Sequence, residues 1–288
     1  MNLINRFFTH KLSTDQFFVF RFLFCASVLI YLLMNWFYVT GPYGANYNPI
    51  PLFELFSIEQ WSLGVNKLLF VLLCVSLCLL AFGRVPRIFT ALSAIFFFLF
   101  MGNYLGSMKS PNSNYVWHSH NMILYILLAL NFLPVNKVKT LSSQSKEYFL
   151  WELVLLKLIV CTGYFGSAFI KLKTSGLDWM DGYTLQAYFI QKHILTGNTF
   201  VLNFVDRLSL LVAISWLTIM LELILCFGLL FKKTEFYVLG LLFGFHLMIL
   251  LTLEINFINS HFIPISTLFL ARPVLWAIKR RLSQTSLS

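Results

Sequence analysis

The sequence predicts an all-α, polytopic membrane bundle of about eight transmembrane helices, with both termini inside, and three observations carry that prediction. Hydrophobic residues fill 59% of the 288 positions and charged residues only 11%, a balance that leaves too little polar surface to clothe a soluble domain. The apolar residues gather into runs close to a bilayer width. The basic residues behind the net charge of +10 fall in short clusters between those runs, which is the pattern of membrane topology and not of a nucleic-acid face, so no nucleic-acid partner is expected.

The opening segment, residues 1–16, is short and basic, lacks a small-residue cleavage site, and reads as lying along the membrane instead of as a signal peptide. Ser13, Thr14 and Asp15 supply a helix start, and residues 17–38 form the first span. Arg21 enters near its beginning; it either snorkels to phosphate or turns inward to an acidic group or an anion. Glycines and prolines make 40–51 irregular, and 52–63 reads as an interfacial helix anchored by Trp61. Spans over 65–82 and 88–106 flank a turn carrying Arg84 and Arg87, and a fourth, 120–135, begins with His120. A basic loop with Lys137, Lys139 and Lys146 leads to the fifth span, 152–172. The long segment 173–207 holds an interfacial or partly inserted helix around 182–195, and the last spans are 208–231, 236–254 and 257–276.

Placing both termini inside collects Arg84, Arg87, Lys137, Lys139, Lys146, Lys232, Lys233 and the closing Lys279, Arg280 and Arg281 on one side, in keeping with the positive-inside rule. Residues 1–288 read as one transmembrane domain with no separate soluble domain. Cys25, Cys74, Cys78, Cys161 and Cys226 all lie in apolar runs and read as buried thiols; Cys74 and Cys78 share a helix face, but no third ligand stands near them and no metal is expected.

Ionisable residues inside apolar runs are candidate functional groups because hydrocarbon makes them expensive. Lys171, at the end of the fifth span, either snorkels with Lys173 to the interface or works as a base. The topology puts the start of the fourth span and the end of the fifth on the outer side, so His120 and Lys171 lie at similar depth. A histidine can relay protons, and a partly buried lysine can act as a base near neutral pH. Glu222 and His246 sit midway along the sixth and seventh spans, where they can pair with each other or meet Lys171 or Arg21. No Gly-rich phosphate loop or dinucleotide fingerprint is present.

Three stretches carry a family resemblance: Trp117-His118-Ser119-His120 entering a span, Tyr164-Phe165-Gly166-Ser167-Ala168-Phe169-Ile170-Lys171-Leu172, and Trp179-Met180-Asp181-Gly182-Tyr183, with a weaker match at Glu222 and His246. With these the chain resembles the vitamin K-dependent gamma-carboxylase and its shorter bacterial relatives, the horizontally transferred transmembrane domain proteins. The resemblance implies Lys171 as the base that deprotonates a reduced vitamin K or other quinol and His120 as its assisting group. Supporting roles are implied for His246, Glu222, Arg21, Trp117, Tyr164, Trp179 and Tyr183. Oxygen and carbon dioxide would be co-substrates, and a glutamate of a secreted peptide or protein the group acted upon. The implied location is the bacterial cytoplasmic membrane, amid lipid and quinone, with the site facing the extracytoplasmic side. The alternative is a non-enzymatic or transport-related scaffold for maturation or export of a secreted peptide.

Overall fold

The computed structural model describes residues 11–41, 47–82, 86–108, 117–133 and 147–285. Among them, five helical stretches are long and apolar enough to cross a membrane: Asp15–Met34, Leu63–Ala81, Arg87–Ser107, Trp151–Met180 and Glu235–Leu253. His120–Phe132 and Leu208–Leu223 are shorter apolar helices. The chain is thus an all-α, integral membrane protein with at least five apolar spans. Its outward faces carry exposed Leu33, Phe132 and Tyr237, side chains that lipid accommodates and water does not. The basic loop 134–146 lies outside the described residues.

Contacts divide the chain into two compact units, residues 1–156 with 263–288, and residues 157–262. The first contains strand β1 (Lys11–Ser13) and helices α1 (Thr14–Met34), α2 (Phe37–Thr40), α3 (Pro51–Leu55), α4 (Leu63–Ala81), α5 (Pro86–Met108) and α6 (Trp117–Phe132). Strand β2 (Glu147–Phe149), the start of α7 (Leu150–Ser175) and the last helix, α12 (Ile263–Thr285), complete it. The pairing of β1 with β2 is antiparallel, with Leu12 opposite Tyr148, an element too short for sequence periodicity to reveal. It brings the starts of α1 and α7 together. The end of α12 comes to the same place, because Lys279 Nζ stands 2.7 Å from the buried Asp15 carboxylate.

Local chemistry explains several boundaries in this unit. Helix α1 stops at Met34, short of the expected 38, and the Tyr31 carbonyl there accepts from both the Asn35 backbone N–H at 3.1 Å and the Asn35 side-chain amide at 2.7 Å. Pro51 opens α3, where a missing N–H costs nothing. Ser62 caps α4 by accepting from the Val65 N–H at 3.4 Å. Gly102 seats α3 on α5: a Cβ there would come within 2.7 Å of the Phe53 ring. Buried amides cross-link the helices, with Asn103 donating to Asn66 at 3.4 Å, and Asn66 donating to the Tyr38 carbonyl at 3.2 Å.

The second unit contains the rest of α7, a 3₁₀ turn (Gly176–Met180), α8 (Tyr183–Thr196), α9 (Leu202–Val205), α10 (Leu208–Leu223), a 3₁₀ segment (Leu225–Leu230), α11 (Glu235–Leu253) and a π turn (Ile258–Phe262). The helix expected around 182–195 is α8. The span expected over 208–231 is broken after Leu223. The Cys226 thiol donates to the Glu222 carbonyl at 3.0 Å, and Gly228 lets the 3₁₀ segment lie against α11, where a Cβ would meet Val238 at 2.7 Å. Such irregular backbone is tolerated in a bilayer where protein covers it.

Gly182 starts α8 with φ of 84°, and a Cβ there would stand 2.9 Å from the Val212 backbone nitrogen. Gly182→Ala is therefore expected to destabilise this unit by about 1–3 kcal/mol, from left-handed strain together with overpacking. A lowered unfolding midpoint in mild detergent checks it, and an unchanged midpoint refutes it.

Candidate functional site

Helix α7 carries a stripe of one face through Lys157, Cys161, Tyr164, Ala168 and Lys171, steps of four and three residues that keep side chains in register on an α-helix. Each polar member of the stripe meets a partner within the second unit. Lys157 Nζ lies 2.5 Å from Glu235 Oε2, with both side chains buried. The Cys161 thiol donates to the Cys226 carbonyl at 3.2 Å. Tyr164 Oη is 2.9 Å from His246 Nε2. Lys171 Nζ is 2.5 Å from Glu222 Oε2.

The last of these is the richest. Ser167, one turn before Lys171, accepts from Nζ at 3.3 Å and donates to the other Glu222 oxygen at 3.3 Å, so amine, hydroxyl and carboxylate close a small ring of hydrogen bonds. The indole of Trp179 lies under the amine, its ring centroid 5.1 Å from Nζ, within the range of a cation–π contact. Lys171 retains 25% side-chain exposure against 5% for Glu222. The carboxylate is thus held from within while the amine opens outward. Lys173, two residues on, is exposed, as a snorkelling lysine is.

His120 lies in the first unit, in the first turn of α6, and is buried. Its Nε2 is 2.7 Å from Tyr31 Oη, and Tyr31 Oη is 2.5 Å from Tyr38 Oη. The imidazole also borders a cavity of about 30 Å³, room for about one water, with Gly102, Met101, Leu105 and Leu124 in its wall.

The structure therefore brings Lys171, Glu222 and Trp179 together, and pairs Tyr164 with His246. Glu222 and His246 each have a partner other than the other. Arg21 is fully buried in the first unit, its guanidinium 5.4 Å from the Phe18 ring centroid. Tyr183 is exposed, its backbone N–H donating to Asp181 at 2.8 Å, so its ring takes no part in the Lys171 cluster. Trp117 opens α6, and its side chain lies outside the described residues. Sequence reading missed Lys157 with Glu235, the bridging role of Ser167, and the Tyr31–Tyr38 pair. Lys157 had a signal: it is a lysine inside an apolar run, two heptads before Lys171 on the same face.

The HTTM domain family model matches residues 10–273, a span that includes every residue of both clusters. No curated protein and no solved structure matches the chain. The family match runs through both units and covers all five long spans, and on it the chain belongs to the HTTM domain family, a group associated with vitamin K-dependent gamma-carboxylase-like proteins.

Proposed function

We propose that this protein is a membrane enzyme that acts on a lipid-soluble quinol, with Lys171 as its base and His120 as an assisting group. The observation that carries the reading is the Lys171–Ser167–Glu222 ring of hydrogen bonds above the Trp179 indole. A flat aromatic acid such as a quinol fits those residues: the indole offers a stacking face, and the amine offers a proton acceptor at the ring's hydroxyl. When bound, a quinol would supply the reducing equivalents through which oxygen is activated, with carbon dioxide as the further co-substrate of a carboxylation. What the chain itself does is move one proton. The Lys171–Glu222 pair shares a proton, and with that proton on Oε2 the Nζ lone pair is open to accept another. Uptake leaves an ammonium over the indole, balancing the charge left on the deprotonated hydroxyl. Ser167 holds both groups during the exchange.

Eight crossings complete this reading, with α6, α10 and α12 as the spans beyond the five long ones. Lys171 then faces the extracytoplasmic side of a bacterial cytoplasmic membrane, where a glutamate of a secreted peptide or protein is the group acted upon. A second reading, a scaffold for peptide maturation or export, draws on the Lys157–Glu235 pair, which shares the ion-pair geometry of Lys171–Glu222 without lying in any of the family-like motifs.

Titrating a naphthoquinone into protein held in lipid nanodiscs distinguishes the two. The quinol reading expects quenching of tryptophan fluorescence that disappears in Trp179→Phe, and competition by the quinol form. Quenching identical in the wild-type protein and Trp179→Phe defeats it. A scaffold would keep its peptide-processing phenotype in Lys171→Ala and His120→Ala cells.

A further inference from the structure

Tyr31 and Tyr38 belong to none of the family-like motifs, yet the Tyr31 hydroxyl stands within hydrogen-bond distance of both His120 Nε2 and the Tyr38 hydroxyl. We propose that His120, Tyr31 and Tyr38 form a proton relay, in which Tyr31 is the positioning residue that couples the imidazole to the Tyr38 hydroxyl. The three side chains come from α6, α1 and α2 of one unit, and none is more than 8% exposed.

A phenol has one hydroxyl proton and accepts through its lone pairs. Tyr31 Oη stands 2.5 Å from Tyr38 Oη and 2.7 Å from His120 Nε2, so one hydroxyl can donate along one of these links while accepting along the other. Two arrangements use it in this way. In one, Tyr38 donates to Tyr31 and Tyr31 donates to a bare Nε2. In the other, Nε2–H donates to Tyr31 and Tyr31 donates to Tyr38. One proton moving along each link carries the first arrangement into the second: Tyr38 passes its proton to Tyr31, Tyr31 passes its own to Nε2, and Tyr38 is left as a phenolate that takes the proton back along the same path, so the proton state of Nε2 is tied to that of Tyr38.

The surroundings hold these hydroxyls in line. The Tyr31 carbonyl is taken by Asn35 and the Tyr38 carbonyl by Asn66. The Tyr38 ring stands edge-on to Tyr104 at 4.5 Å between centroids. Packing alone does not call for hydroxyls here. The chain contains 32 Phe against 12 Tyr, and phenylalanine would fill the same volume without two buried phenols that need partners. A relay deepens the reading of His120 as an acting group and rests on that reading for its use, while its existence can be tested on the imidazole alone.

The test is ¹⁵N spectroscopy of histidine-labelled protein in nanodiscs, with the His120 signals assigned by their loss in His120→Gln. Tyr38→Phe keeps the ring and removes one oxygen. The relay expects this to shift the Nε2 resonance, and expects the shift to vanish when Tyr38→Phe is made in a Tyr31→Phe background, since coupling then has no carrier. A Tyr38→Phe shift of equal size in both backgrounds overturns the relay, as does no shift in either. Should Tyr31→Phe fail to fold, 3-fluorotyrosine at position 38, which makes that hydroxyl more acidic, must move Nε2 in the otherwise wild-type chain, and a stationary resonance refutes the relay. If the quinol reading is wrong, the resonance coupling persists in a protein that turns over no quinol, so the two failures are told apart.

Discussion

Lys171→Met is expected to lower quinol turnover by roughly 10²–10⁴-fold, the usual worth of a positioned general base. It also strands Glu222, whose side chain is only 5% exposed, so the single variant is expected to fold less well. The partner substitution separates the two effects. In Lys171→Met/Glu222→Gln the uncompensated carboxylate is gone, and folding yield recovers because a neutral amide replaces a buried charge. Turnover stays low, because no amine remains above Trp179. Measuring both quantities on the same preparations decides the matter: if the double variant regains turnover with its folding, Lys171 is a structural cation and not a base.

Lys157→Met is expected to destabilise the second unit by about 3–5 kcal/mol, the cost of removing one member of a buried ion pair. Its partner Glu235 has 7% side-chain exposure, so water offers little relief. Replacing both, as Lys157→Met/Glu235→Met, is expected to restore stability to near the wild-type value or above it, because two apolar side chains of similar length fill the space without desolvating charge. Unfolding in graded denaturing detergent reads both variants. Quinol turnover per folded molecule is expected to be unchanged in each. A single variant as stable as the wild-type protein would refute the buried pair.

The apolar runs and the basic clusters between them were enough to place the long spans, because a bilayer imposes length and charge asymmetry directly on sequence. Lys171, Glu222 and His246 were legible for the same reason: an ionisable group in hydrocarbon stands out. Their partners were not legible. Glu222 could as well have met His246, and which neighbour it faces depends on the rotation and axial register of α7 against α10, which no local pattern records. Lys157 carries the same signal but belongs to none of the family-like motifs, and Glu235 follows Lys232 and Lys233 and reads as loop. Tyr31 and Tyr38 carry no charge, so they passed as part of an aromatic-rich span. The break after Leu223 had no proline to mark it.

One contact has a meaning for how the protein is made. Helix α1 packs against α12, and Asp15 near the start of one is paired with Lys279 near the end of the other. Membrane helices enter the bilayer in the order of their synthesis, so α1 reaches the membrane long before its neighbour exists. During that interval the α1 face carrying Asp15 has only lipid, earlier-made helices or an assisting factor to lean on. The first unit therefore cannot finish assembling as it is translated; its earliest helix is completed by its latest, and a nascent chain halted before Ile263 would display an unclosed seam that cellular surveillance could recognise.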